Sequence, residues 1–146
     1  MPIDVQVETT IDCARHVVAA YAADPDHAPV WYDNITGVRW VSEKKLAVGA
    51  RMEFEAHFLG RRLAYIYEIR ELVPGERLVM STDAGPFPME TTYTWEDAPA
   101  GGTRMTLRNR GQPSGFSKVA APVMAAGVRR NTKRNLAELK RLLEKE

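Results

Sequence analysis

Residues 101–146 read GGTRMTLRNRGQPSGFSKVAAPVMAAGVRRNTKRNLAELKRLLEKE. This stretch divides into one strand, a short connection and one long helix. In TRMTLRNR, Met105, Leu107 and Asn109 alternate with Arg104, Thr106, Arg108 and Arg110, the period-two pattern of a strand with one wet face. Pro122 suits a first helical turn, where its missing N–H is no loss, and predicts where the helix begins. A stripe of Met124/Ala125, Val128, Thr132, Leu136, Leu139 and Leu143 follows at three- and four-residue spacing. Most of the arginines and lysines fall off that stripe. Its second half is leucine-rich and can anchor the helix. Its first half, Ala121, Ala125, Ala126 and Gly127, is small and leaves space beneath it.

Upstream, the chain alternates almost without further helix. Ile3, Val5 and Val7 alternate with polar residues and form a first strand. DCARHVVAAYAA follows as a short helix with Val17, Val18 and Tyr21 as its apolar positions and Thr10 or Asp12 as its cap. Asp24-Pro25 opens a second short helix ending near Trp31 and Tyr32. Val38 and Trp40 belong to the next strand. In RMEFEAHF, Met52, Phe54, Ala56 and Phe58 share one face and Arg51, Glu53, Glu55 and His57 the other. LAYIYEI puts Leu63, Tyr65, Tyr67 and Ile69 on one face. An even-length hairpin loop then pairs even residues of the first strand with odd residues of the second, so Phe54 meets Tyr65 or Tyr67. RLVMST and METTYTWE are further strands, the latter with Met89, Thr91, Tyr93 and Trp95 on one face. Tight turns between them predict an antiparallel meander with one solvated face.

A chain of 146 residues with 45% hydrophobic and 27% charged residues has the size and composition of one globular domain, residues 1–146. No apolar run reaches a membrane span, and the acidic start MPIDVQVETTID is unlike a signal peptide. The expectation is a cytoplasmic protein without stable membrane insertion. The lone Cys13 excludes an internal disulfide framework. Charge is lopsided: residues 1–100 carry 9 Lys/Arg against 16 Asp/Glu, and residues 101–146 carry 11 against 3. A basic helix lying against or near an acidic sheet explains this, and the basic stretch lacks interleaved aromatics for base stacking, so no nucleic-acid partner is expected.

DPDHAPVWYDNI, YEIRELVPGERLVM, GGTRMTLRNRG and APVMAAGVRRNTKRNLAELKRLLE carry a resemblance that spans nearly the whole chain. They resemble the START/Bet v 1-like (SRPBCC) superfamily, in its bacterial polyketide cyclase/dehydrase and lipid-transport branch. The resemblance implies an α+β helix-grip fold. A curved seven-stranded antiparallel sheet would wrap a long C-terminal helix, with two short helices after the first strand. It also implies a hydrophobic cavity between sheet and helix, and no catalytic motif that carries over by residue.

The residues themselves argue against several chemistries. His16, His27 and His57 lie apart with no ligand spacing, so no metal or other cofactor is expected. There is no nucleophile elbow and no phosphate loop. Glu53 and Glu55 share the wet face with Arg51 and read as a solvated charge ladder. What remains is a polar set on faces expected to be apolar: Tyr65, Tyr67, Thr91, Tyr93 and Asn109, beside Phe54. Buried polar groups need partners, and a ligand in an apolar pocket supplies them. Met124, Gly127 and Val128 would roof the cavity, and Trp31 and Phe87 would sit near its mouth. The reading is a binding or carrier protein for a hydrophobic or aromatic small molecule such as a lipid, a polyketide-like ring system or an isoprenoid, acting as a monomer or homodimer. The alternative is a polyketide cyclase/dehydratase-type enzyme using the same cavity.

Overall fold

The computed structural model describes residues 3–58, 60–82, 88–111 and 120–144. Seven strands run in chain order as β1 (Ile3–Ile11), β2 (Ile35–Trp40), β3 (Arg51–Phe58), β4 (Arg61–Val73), β5 (Arg77–Thr82), β6 (Met89–Asp97) and β7 (Thr103–Gly111). Between β1 and β2 lie the helix α1 (Arg15–Ala23), a 3-10 turn (Pro25–His27) and the single-turn helix α2 (Ala28–Trp31). The long helix α3 spans Ala120–Glu144. The strands form one sheet in the order β1-β7-β6-β5-β4-β3-β2. Every neighbouring pair is antiparallel. This is the α+β helix-grip arrangement expected above.

Register follows the alternation of side chains. Phe54 pairs with Tyr65 and Met52 with Tyr67, through a tight turn in which Gly60 takes φ +78°. Thr91 lies opposite Asn109, Tyr93 opposite Leu107 and Trp95 opposite Met105. The residues that alternation puts inward are therefore neighbours on one face. Register shifts between Ile35 and Gly37 in β2, and between Ile69 and Glu71 in β4, interrupt the ladders. Such bulges bend the strand that carries them and sharpen its twist, so the sheet closes around α3.

The outer face carries the charge. Arg108 holds Asp4 with two bonds of 2.8 and 2.6 Å, Arg62 holds Glu55 at 2.6 Å, and Arg104 reaches Glu96 at 3.3 Å. Of the basic residues of α3, Lys133, Lys140 and Arg141 stand beside Glu8 of β1, near the sheet as expected, while other sheet carboxylates pair within the sheet. The carboxylates of Asp4, Glu55 and Glu96 are taken by arginines of neighbouring strands: Glu96 faces Arg104 directly, whereas Asp4 and Glu55 lie diagonal to Arg108 and Arg62, still within reach of a long side chain.

Three local expectations change. The cap position of α1 is Ala14, without a side-chain hydrogen bond. Thr10 remains in β1, and the Asp12 backbone N–H donates to Glu144 Oε2 at 2.8 Å. The buried face of α1 is Val18, Ala19, Ala22 and Ala23, while Val17 is 43% exposed. Finally, α3 starts at Ala120, so Pro122 stands inside its first turn.

The main core joins Ile11, Val18, Trp31, Met52, Ile69, Trp95, Met105 and Leu107 to Leu136 and Leu139 of α3. A smaller cluster seats Val128, with Ala125 beside it, on Ile3 and Val5 of β1. Among the described residues, the helix is thus packed solidly toward its C-terminal end, and nearer its N-terminal end it rests on β1 through Val128 and Ala125.

Two glycines make opposite predictions. Gly102 has φ +80°, and a Cβ there would lie 2.6 Å from the Ile11 carbonyl oxygen. Gly127 is helical, and a Cβ there would meet nothing within 4 Å. Gly102→Ala is expected to lower unfolding free energy by about 1–3 kcal/mol. Gly127→Ala is expected to raise it by about 0.5–1 kcal/mol through helix propensity. Urea denaturation of the two variants checks this, and changes of the same sign would contradict it.

Candidate functional site

Between the concave face of the sheet and the N-terminal half of α3 lies a cavity of about 130 Å³. Its sheet wall is Phe54 and Ala56 of β3, Tyr65 and Tyr67 of β4 and Met80 of β5, continued by Met89, Thr91 and Tyr93 of β6 and Asn109 of β7. Its helix wall is Val128, Asn131, Thr132 and Asn135. Ala28 of α2, followed by Tyr32, Asn34 and Ile35, closes one end.

The polar groups form two sets. The first is a chain of hydrogen bonds across the gap. Thr91 Oγ1 donates to Asn109 Oδ1 at 2.8 Å, Asn109 Nδ2 donates to Thr132 Oγ1 at 3.1 Å, and Thr132 Oγ1 donates to the Val128 carbonyl at 2.7 Å. The last bond is the back-bond to the preceding helical turn that threonine makes when buried in a helix. The second set gathers around Tyr32, whose hydroxyl oxygen lies 2.6 Å from that of Tyr93. Close by in the chain, the Asp33 N–H donates to Asn135 Oδ1 at 3.2 Å, tying this end wall to α3. Asn34 Oδ1 is buried without a hydrogen-bond partner among the described residues.

Aromatic rings stiffen the wall. Phe54 meets Tyr67 edge-on with centroids 5.7 Å apart, and Tyr65 meets Tyr67 at 6.3 Å. Burial strips water from the phenols and opposes their ionisation. It pushes Tyr67 up to about 12, partly offset by Thr91, and raises Tyr32, Tyr65 and Tyr93 as well. Among the described residues, no Asp, Glu, His, Lys or Arg lines the cavity. Nor do they hold a group of three His, Cys, Asp or Glu side chains able to bind a metal ion. The site offers neutral hydroxyls and amides in an apolar surround. It can hold and orient an uncharged molecule, and it can donate hydrogen bonds to a carbonyl.

The sequence-predicted residues fall as follows. Phe54, Tyr65, Tyr67, Thr91, Tyr93, Asn109 and Val128 all line the cavity. Trp31 does not. It is 1% exposed and packs behind the wall, 4.3 Å from the Tyr32 ring and 5.8 Å from the Tyr93 ring. The short helix turns its bulkiest ring into the core, and the next residue takes the cavity position. Gly127 is not among the lining residues. It stands one turn before Asn131 on the same side of α3, with open space at its Cβ position. Phe87 lies outside the described residues, as does the side chain of Met124.

Sequence reasoning missed Asn34, Asn131 and Asn135, and counted Thr132 only as part of the stripe. For the helix a signal exists: positions 128, 131, 132 and 135 share one side of a 3.6-residue helix, and three of the four are uncharged polar residues on an otherwise apolar stripe. For Asn34, in the turn before β2, no periodicity was available.

Residues 2–144 match the family described as polyketide cyclase / dehydrase and lipid transport. The chain belongs to that family. Its fold is that of the START/Bet v 1-like superfamily. TTHA0849 from Thermus thermophilus superposes with a TM-score of 0.82 at 17% identity, covering 96% of each chain. The Zhui aromatase/cyclase from Streptomyces sp. R1128 gives 0.81 at 16% identity, over 99% of this chain and 95% of that one. A START superfamily protein from Mycobacterium smegmatis gives 0.74 at 13% identity, over 97% and 94%. At these identities the likeness is one of fold. Among curated proteins none matches the sequence. No helix among the described residues is long and apolar enough to cross a membrane.

The raised phenols predict alkaline behaviour. An ordinary tyrosine ionises near 10, whereas Tyr32, Tyr67 and Tyr93 keep their protons well beyond it in the folded state. The unfolded chain then binds fewer protons than the folded one above about pH 10, so stability is full below that pH and falls as pH rises through the folded values. Ultraviolet titration of tyrosinate is expected to show these three phenols ionising only together with unfolding. Smooth ionisation of all 5 tyrosines near pH 10, with the fold intact, would contradict it.

Proposed function

We propose that the chain is a cytoplasmic binding or carrier protein, a monomer or homodimer in one domain, for an uncharged hydrophobic or aromatic small molecule. The observation that carries this reading is the cavity itself. It is a concave, mostly apolar space in which a few uncharged polar groups converge, the usual form of a small-molecule site. Binding energy would come from apolar area removed from water, at about 25 cal/mol per Å². Phe54, Tyr65, Tyr67, Tyr93 and Val128 supply that area, and Thr91 and Asn109 orient the ligand. Phe87 and Met124 remain candidate contacts.

The family description, which names both cyclase/dehydrase and lipid transport, supports a ligand site of this kind. The buried phenols favour binding over proton transfer. A general base works best with a pKa near the working pH, and burial moves these groups away from it. A cyclase/dehydratase-type enzyme is the second reading. The close Tyr32–Tyr93 hydroxyl pair favours it, since a preorganised donor can stabilise charge developing on a carbonyl oxygen. The fold shared with an aromatase/cyclase adds to it. In that case Tyr32→Phe/Tyr93→Phe abolishes turnover while leaving the melting temperature in place.

Native mass spectrometry of the protein from its own host, paired with thermal shift, tests the leading reading. A co-purified molecule is expected. Readdition at about one hundred times its Kd is expected to raise Tm by roughly 5–10 °C. Gly127→Leu, which pushes a side chain into the open space before Asn131, is expected to keep the fold and weaken that shift. Absence of any bound molecule, with no shift from lipid or aromatic panels, contradicts the proposal.

A further inference from the structure

At the end of the cavity closed by Tyr32 and Asn34, two polar functions have no counterpart among the described residues, and they differ in kind. Asn34 Oδ1 is buried, has no partner among the described residues, and belongs to a residue that lines the cavity. An amide oxygen only accepts, so it calls for a donor, and a buried acceptor left unmatched is destabilising. The second function is the Tyr32–Tyr93 pair. Its hydroxyl oxygens are 2.6 Å apart, and that bond uses one of the pair's two protons. Burial keeps both phenols protonated, so the second proton is a donor still to be used.

Size and charge narrow the occupant further. The cavity volume of about 130 Å³ is close to the roughly 150 Å³ of an engineered protein cavity that admits benzene. A fused polycycle or a long acyl chain exceeds it. Among the described residues no cationic or anionic side chain lines it, so an ionised ligand would lose its hydration without a counter-charge.

Resting on the binding reading above, we infer that the ligand is an uncharged single-ring molecule with two hydrogen-bonding ends: a hydroxyl or N–H that donates to Asn34 Oδ1, and a carbonyl that accepts the free proton of the Tyr32–Tyr93 pair. An apolar ring satisfies neither end. A simple phenol or a simple aryl ketone satisfies one.

Isothermal titration calorimetry of the full chain tests this with toluene, para-cresol, para-methylacetophenone, para-hydroxyacetophenone and para-hydroxybenzoate. The expected order puts para-hydroxyacetophenone about five- to tenfold tighter than either single-function probe, one net hydrogen bond's worth. Toluene is weaker still, and the ionised benzoate is weakest. Asn34→Leu, with Asn34→Ala as a second variant, removes the advantage of the hydroxyl and leaves toluene affinity within about twofold, which also reports an intact cavity. The tyrosine pair behaves non-additively. Tyr32→Phe or Tyr93→Phe alone leaves one free donor and costs less than about threefold for the ketones. Tyr32→Phe/Tyr93→Phe loses about five- to tenfold.

Equal affinity for all the neutral probes, or affinities indifferent to Asn34→Leu, would overturn the inference. Tightest binding by para-hydroxybenzoate would overturn it too. If only polycyclic or long-chain compounds bind, this inference falls and the binding reading stands. If no compound of any class binds, the binding reading falls and takes the inference with it.

Discussion

The structure depends on a run of hydrogen bonds that holds the long helix at a fixed distance from the sheet. Thr91 donates to Asn109, Asn109 to Thr132, and Thr132 to the Val128 carbonyl. All three donors point the same way, so each bond polarises the next and the run gains from its own direction. Asn109 is the span between the layers. A leucine in its place could let the helix settle onto the sheet, but it would leave the Thr91 hydroxyl buried without its acceptor. With the gap held open at Asn109 and closed by Leu136 and Leu139, one and two turns beyond Thr132, one helix serves both a dry core and a cavity.

The same arrangement separates charge from the interior. The arginines and carboxylates of the sheet pair with one another on the outer face, where each exposed pair contributes little to stability. Inside, the polar groups are phenols, hydroxyls and amides. Burial holds the phenols neutral, and a neutral site in a low-dielectric surround selects neutral occupants. Under the binding reading, that selectivity follows from side-chain parity along β6 and β7: the parity that turns Tyr93 and Leu107 toward the helix turns Thr94 and Arg108 away from it.

That parity was the most legible part of the sequence. RMEFEAHF and LAYIYEI narrow the partner of Phe54 to Tyr65 or Tyr67 before any coordinates, because a one-residue slip would turn one apolar set outward, and the two-residue turn then selects Tyr65. Asn109 could be placed inward by the same rule. The helix was harder. A search for apolar spacing passes over Asn131 and Asn135, so the space beneath α3 was assigned to the small residues around Gly127. In fact Val128, Asn131, Thr132 and Asn135 form that wall. The region between β1 and β2 was least legible. Alternation does not apply to a single-turn helix, so nothing in the sequence distinguished Trp31, which enters the core, from Tyr32, which reaches Tyr93. Asn34 carried no signal at all, since a turn residue follows no periodicity and its side-chain oxygen has no partner among the described residues.

A crystal structure of the ligand-free protein is the most direct test. The separation of helix and sheet is an equilibrium property that ligand cannot supply if it is absent. The expected result is Asn109 bridging Thr91 and Thr132, with the space between Tyr67, Tyr93 and Thr132 retained and ordered water at Asn34, as a polar cavity of this size requires. A helix α3 settled onto Tyr67 and Tyr93, with Asn109 turned elsewhere and no cavity left, would contradict it.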